Sequence, residues 1–248
     1  MRIDDGRLHY SRLKLMDRSP MHFALDEFAD SDAYAWGRAF HVAVLLGKTP
    51  KFWEGKRQGN AYNEAVASNG GEIIITATAY DEVMRAVESV RKSRLAQELL
   101  SRCPNRETYH QWERDGVKCA GTIDADGPGT VVELKSCRSA NPYRFRKEAS
   151  WYLYPEQKAW YQEPLGGVFR GPDSELLDSY IIACEKKYPF AVSCIRVTPL
   201  RLIDANERCA EWLEKYKEST RLNYWPGWDQ SCWDLDCDID VAGSEDYD

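Results

Sequence analysis

The chain has 248 residues, enough for one large domain or two small ones with a substantial core. Hydrophobic residues make up 43% and charged residues 29%, the balance of a globular protein in water rather than a fibrous or disordered one. A formal net charge of −7 argues against a protein that coats itself in nucleic acid, because phosphate binding is driven by Lys and Arg. The acid is unevenly placed: Asp234 to Asp248 carries seven carboxylates and no base, and is read as a solvated tail after a single domain over residues 1–233. The opening Met1-Arg-Ile-Asp-Asp lacks the apolar core of a signal peptide, and Val42 to Leu46 is too short to span a bilayer. A cytoplasmic location without membrane contact is therefore expected. Eight cysteines, at 103, 119, 137, 184, 194, 209, 232 and 237, contain no Cys-x-x-Cys pair and read as free buried thiols rather than a zinc site.

In chain order, Ser19-Pro20 breaks the first segment. Ser31 and Asp32 are N-cap candidates for a helix running to about Leu46, closed by Gly47 and Pro50. The Gly, Asn and Lys content of residues 51–71 predicts a surface loop. Ile73-Ile74-Ile75 is short and apolar. Thr78 with Asp81 resembles a helix start, with Val83, Val87 and Val90 as its buried stripe, and a short helix follows over Leu95 to Leu100. Strands are expected near 107–112, 117–124 and 130–136, with Asp126-Gly127-Pro128-Gly129 as the turn between the last two. A helical region over 143–163, strands near 179–184 and 190–197, and a helix near 204–219 complete the order. This succession predicts an α/β (α+β) architecture with a central mixed sheet flanked by helices.

The chemistry is concentrated around the Gly-Pro-Gly turn. Residues alternate faces along a strand, so Glu133 and Lys135 point one way and Val132 and Leu134 the other. The hairpin brings Asp124 beside Glu133, so two carboxylates converge next to an ammonium. Clustered carboxylates repel, and a divalent cation relieves the repulsion; hard oxygen ligands point to Mg²⁺, with Mn²⁺ as a substitute. The same pattern also fits a hairpin with an ordinary charged face. His41, with Gly37 one turn earlier leaving room beside its imidazole, and the Gln157/Tyr161 pair one helical turn apart add metal-ligand and phosphate-holding candidates.

Taken together these residues resemble the PD-(D/E)xK nuclease superfamily, in its RecB-like branch and closest to the RecE, exodeoxyribonuclease VIII type. The resemblance rests on Gly37-Arg-Ala-Phe-His41-Val-Ala-Val-Leu-Leu, on Asp124, on Val131 to Ser136 with Glu133 and Lys135, and on Gln157-Lys-Ala-Trp-Tyr161. Tyr10-Ser-Arg-Leu-Lys, Ser19-Pro-Met-His-Phe23, Glu185-Lys-Lys-Tyr-Pro-Phe and Trp225-Pro-Gly-Trp228 extend it over residues 10–228. Leu-Leu-Gly where the family has Leu-Leu-Glu, and Glu163 where it has Gly, are departures outside the core motif.

The resemblance implies a restriction-endonuclease-like core with N-terminal helical additions. It implies an ATP-independent exonuclease that degrades duplex DNA from the five-prime end and leaves three-prime overhangs for phage or prophage recombination. The partners implied are DNA ends and a RecT-like single-strand annealing protein, in a ring-shaped homo-oligomer inside a bacterial host. Asp124 and Glu133 would ligate metal, with the Leu134 carbonyl, His41 and Glu107 as further ligands. Lys135 would position or activate the attacking water, supported by Gln157 and Tyr161. Arg144, Arg146, Lys147 and Ser136 would contact DNA, with the helix from Arg85 to Arg94 as second choice. The cysteine pattern of the iron–sulfur relatives is absent, so no cluster is expected. A related endonuclease or single-strand nuclease, and a non-catalytic DNA-binding protein, are the alternatives.

Overall fold

A computed structural model describes residues 5–26, 31–68, 74–171 and 173–228; the acidic segment 234–248, Cys232 and Cys237 lie outside the described residues. The chain opens with strand β1 (Leu8–His9), the single turn α1 (Tyr10–Leu13) and the short helix α2 (Pro20–Ala24). Ser19 caps α2, its Oγ accepting from the His22 N–H, and Pro20 sits where its missing donor costs nothing. Helix α3 (Asp32–Leu45) starts at Ser31, whose Oγ accepts from the Tyr34 N–H.

The expected loop over 51–71 is corrected: β2 (Lys51–Trp53) and α4 (Asn60–Ser68) form there, and residues 69–71 lie outside the described ones. Tertiary pairing overrides composition, since β2 lies parallel to β3 (Ile74–Thr76) and the Arg57 Nε donates to the Ile74 carbonyl at 2.9 Å. Helix α5 (Ala77–Lys92) begins two residues earlier than Thr78 implies, because Thr76 is the cap. Helix α6 (Arg94–Ser101) follows, capped by Ser93.

The sheet strands are β4 (Asn105–Arg114), β5 (Val117–Gly127) and β6 (Thr130–Cys137); then come α7 (Pro142–Trp151), α8 (Tyr154–Trp160), β7 (Asp178–Glu185), β8 (Val192–Val197) and α9 (Pro199–Leu222). Six strands make one mixed sheet in the order β1-β5-β6-β7-β8, with β4 also paired to β5. The expected mixed sheet flanked by helices is what forms. Alternation along β6 divides its sides: Val132 and Leu134 pack with Phe40, Val83, Val87 and Leu99 of α3, α5 and α6. Val131 and Cys137 belong to cores containing Trp160, Trp212, Phe145 and Leu202 of α7 to α9. Glu133 and Lys135 share that second side.

The edges of β5 position the site. Strand β4 runs antiparallel along it from Val117 to Asp126 and takes one whole edge. The other edge is shared. Strand β6 pairs only with Ala125–Gly127, while β1 pairs in parallel with Cys119 and Ala120. Residues 121–124 therefore face an opening between β1 and β6.

The helical region expected over 143–163 is two helices, α7 and α8, and Pro155, which in the sequence marks a helix start or kink, sits in the first turn of α8. Leu153 takes φ +61°, uncommon for a residue with a side chain, and its carbonyl accepts from the Tyr10 hydroxyl. Beyond the break, fully buried Glu156 binds Arg201 Nη2 at 2.8 Å and lies 3.5 Å from Arg208 Nη1, which ties α8 to α9. The N-terminal and C-terminal motifs meet: the Phe23 and Trp225 rings stack at 5.3 Å and Trp228 Nε1 donates to the Arg18 carbonyl. The six described cysteines are unpaired, and burial pushes the thiols of Cys119, Cys184 and Cys209 up to about 12. No described helix is long and apolar enough to cross a membrane.

Breaking one partner of a buried ion pair strands the other charge. Arg201→Ala is expected to cost about 2 kcal/mol, below the full range for buried pairs because Arg208 remains. Urea unfolding measures it, and an unchanged midpoint would show that the pair does not hold α8 to α9.

Candidate active site

Three carboxylates form a row across β4, β5 and β6. The β4–β5 ladder keeps the pairs Arg106↔Ala125 and Thr108↔Ile123 but lacks the step between them, where Glu107 has φ +49°. A left-handed residue with a side chain costs of order 1 kcal/mol and persists only when its surroundings enforce it. Here the Glu107 carboxylate meets His41 from α3 and Asp124 from β5. His41 Nδ1 lies 3.5 Å from Glu107 Oε1 and 3.4 Å from Asp124 Oδ1. One ligand atom from each of the three falls within 4.8 Å of the others. Asp124 is held from behind, since its Oδ2 accepts from the Leu134 N–H at 2.8 Å. The Leu134 carbonyl lies on the same strand edge as its N–H.

Burial disfavours charge on both His41 and Asp124, but their attraction prevails. The Asp124 and Glu107 carboxylates raise the imidazole to about 10. His41, with help from Lys135 and the Leu134 N–H, draws the Asp124 carboxyl down to about 2. This imidazolium–carboxylate pair stabilises the metal-free fold fully between the ordinary values of 3.8 and 6.5. Its contribution is lost as pH falls toward 2 or rises toward 10.

Glu133 follows Val132 at the point where the β5–β6 ladder has ended, so it stands opposite Asp124 across the gap. It is not one of the three converging ligands. Its Oε1 accepts from Lys135 Nζ at 2.7 Å, which in turn donates to Gln157 Oε1 at 2.9 Å. The Tyr154 ring centroid lies 4.7 Å from the same ammonium. Burial works against the Lys135 charge, but Glu133 and Asp124 overcome it and raise the group above its ordinary value. Lys135 is thus a fixed cation with one donor left over.

The residues fit a divalent cation. Glu133 Oε2 is buried and without a hydrogen bond, and buried Glu107 Oε1 has only the long 3.5 Å approach of His41 Nδ1. An orphaned carboxylate oxygen beside a second carboxylate and an imidazole is a donor set for Mn²⁺ or Mg²⁺.

Other expected residues sit differently. A Cβ built on Gly37 would meet only Ser136 Oγ, at 3.8 Å, so Gly37 does not make room for the imidazole. Ser136 thereby faces α3, on the side of β6 away from Lys135, because odd and even residues alternate; it is not grouped with the basic residues expected on DNA. Arg144, Arg146 and Lys147 are exposed on α7. On α5, Lys92 is paired with Glu88 at 3.3 Å. Tyr161 joins the Lys135 group through a side-chain hydrogen bond with Gln157, and its ring packs on Gly121 of β5, where a Cβ would come within 2.6 Å of it.

Three participants escape sequence reasoning. Lys158 is fully buried, and its Nζ has no hydrogen-bond partner. Burial draws it down to about 8, against the pull of Glu133 and Asp124. Tyr154 and Gly121 also carry no motif. The one available signal was a lysine inside the otherwise apolar run Ala159-Trp160 after Gln157.

The sequence matches a known family, and the fold has a counterpart among solved structures. A family model described as "PDDEXK-like domain of unknown function (DUF3799)" matches residues 10–236. The chain belongs to this family. A solved structure from Eubacterium rectale, described as a candidate exonuclease, shares the fold with a TM-score of 0.64 at 13% identity, covering 99% of both chains. A phage-related exonuclease from Haemophilus somnus 129PT aligns with a TM-score of 0.40 at 12% identity, over 88% of this chain and 97% of its own. No curated protein matches the sequence.

Two outcomes follow from this geometry. A metal ligand must be a neutral imidazole, so cation binding has to expel the His41 proton and must tighten as pH rises toward 10. Calorimetric titration with Mn²⁺ near pH 7, in buffers of different ionisation heat, should show one proton released by the wild type and none by His41→Ala. Equal heats in both buffers would place His41 outside the coordination set. Gly121→Ala should cost about 1–3 kcal/mol by displacing the Tyr161 ring. A thermal melt at the wild-type temperature would show that the ring moves aside freely.

Proposed function

We propose that the protein is a metal-dependent deoxyribonuclease, and that it acts as an ATP-independent exonuclease on duplex DNA, degrading from the five-prime end and leaving three-prime overhangs. The observation that supports it most is the junction of two groups. His41, Glu107 and Asp124 converge on one side of the β5–β6 opening, and Lys135, held by Glu133 and Gln157, lies on the other. A phosphodiester between them meets a cation site and an ammonium together. His41, Glu107 and Asp124 would hold Mg²⁺ or Mn²⁺, with the Leu134 carbonyl as a further donor. The bound cation supplies Lewis-acid polarisation of the phosphate and a lowered pKa for water.

The chain's own groups do the rest. In the metal-free site Glu133 and Asp124 hold the proton on Lys135, which stands there as a charge able to orient the attacking water. Its ammonium neutralises negative charge building on the phosphate oxygens and is stronger in this partly dry setting than in water. Glu133 and Gln157 fix its direction, and Tyr154 covers it. Tyr161 fills the notch left by Gly121 and keeps α8 in register with β5.

The direction of degradation, the recombination role with a strand-annealing partner, and a ring-shaped assembly in the bacterial cytoplasm belong to the same proposal. They are supported by the RecE-like order of motifs. A ring would let Arg144, Arg146 and Lys147 line a channel while the outside stays acidic.

Lys135→Ala should lower cleavage by about 10²–10³-fold, the cost of removing one preorganised donor, and leave DNA binding in place. Linear duplex labelled at either end, compared with closed circles in Mg²⁺ or Mn²⁺ without ATP, tests the rest. Loss of five-prime label from linear DNA with circles intact is expected. Cut circles would move the protein to the endonucleases, and no cutting of either substrate would leave a binding protein.

A further inference from the structure

The opening between β1 and β6 leads outward from Lys135 into a cleft of about 290 Å³, at the small end of ligand sites and sized for about one nucleotide. Its walls include His9, Lys14, Lys135, Tyr152 and Tyr154. The two tyrosines stack, with ring centroids 5.8 Å apart and planes 23° from parallel. Tyr154 has the Lys135 ammonium 4.7 Å from its ring centroid. The outer ring, Tyr152, is 49% exposed. The column therefore begins at the proposed catalytic cation and ends on an aromatic surface open to solvent.

Helix α7, which ends at Trp151 just before Tyr152, carries further exposed rings. Trp151 is 77% and Tyr143 74% exposed, and the Arg146 guanidinium lies 5.1 Å over the Tyr143 ring. Arg144 and Lys147 are exposed beside them. Large aromatic rings so exposed to water are unusual, and here they alternate with cations. Cations suit phosphates and ring faces suit bases. A paired base has its faces covered by its neighbours in the duplex, so only an unpaired strand offers faces to such a surface.

We infer that Tyr152 and Tyr154 form a stacking platform for unpaired bases of a single DNA strand, with Arg144, Arg146 and Lys147 on its phosphates, delivering that strand to Lys135. Recognition is by stacking and charge, so the platform accepts any sequence. The inference rests on the nuclease reading for the strand's destination, while binding itself can be measured without cleavage.

The test is fluorescence anisotropy of the full chain with end-labelled oligo-dT and with a duplex of the same length, in EDTA. One lost stack is worth about 5- to 150-fold in affinity. Tyr152→Ala is expected to weaken oligo-dT binding within that range and duplex binding less than twofold, while Tyr152→Trp keeps both. Abasic sites in the oligonucleotide should weaken the wild type and cost Tyr152→Ala little more. Wild-type affinity for oligo-dT in Tyr152→Ala, or equal losses on single strand and duplex, overturns the platform even if the wild type cuts DNA. Discrimination through Tyr152 in a protein that cuts nothing with Mg²⁺ or Mn²⁺ upholds the platform and removes the nuclease reading.

Discussion

The hydrogen bond from the Leu134 N–H to the Asp124 carboxylate stands where β5 and β6 part company. Had the two strands stayed paired past Ala125 and Val132, the backbone groups at this point would bond each other. The sheet opens instead, and Asp124 takes over a donor that the ladder has released. Unpaired strand edges inside a protein are costly, so the opening needs substitutes on both sides. Strand β1 provides one, closing onto Cys119 and Ala120, and the Asp124 side chain provides the other. Between them Gly121 leaves space for the Tyr161 ring. The cation site, the lysine and the cleft all border this one gap.

Charge balance explains why so many ionisable groups tolerate burial together. Glu107, Asp124 and Glu133 face protonated His41, the ammonium groups of Lys135 and Lys158 and the Arg38 guanidinium 3.5 Å from Glu107, so each buried carboxylate has a cation near it. Isolated, any of these would be expensive. Lys158 contributes although its Nζ has no hydrogen bond, because Glu133 and Asp124 favour its charge across a medium that screens poorly.

Much of this arrangement was legible in the sequence, and the exceptions have physical causes. Strong alternation and a Gly-Pro-Gly turn announce the β5–β6 hairpin, and Asp124, Glu133 and Lys135 are readable as one cluster from that register alone. Capping serines announce α3 in the same way. Strand β1 has two residues and no periodicity to detect. Glu107 is reached through the family resemblance alone, because no local rule assigns its positive φ to glutamate. The break before α8 is announced by Pro155, but the left-handed turn at Leu153, whose carbonyl accepts from a hydroxyl 143 positions away in sequence, is not. Pairing of β2 with β3 likewise rescues a Gly- and Lys-rich stretch that composition assigns to a loop. Local signals place elements; contacts between distant residues decide their ends and their bends.

The break at Leu153 also connects fold and site. An unbroken helix through 143–163 would carry Tyr152 and Tyr154 on different sides of one cylinder, since residues two apart do not face each other. With Leu153 in the left-handed region, the end of α7 and the start of α8 turn both rings into one stack beside Lys135. The Tyr10 hydroxyl that holds this turn comes from the segment just after β1, the same strand that closes the lower part of the gap. The N-terminal residues thus fix both the width of the opening in the sheet and the aromatic wall in front of it. A strand entering along that wall reaches the phosphate position from the Lys135 side, with the three cation ligands beyond it.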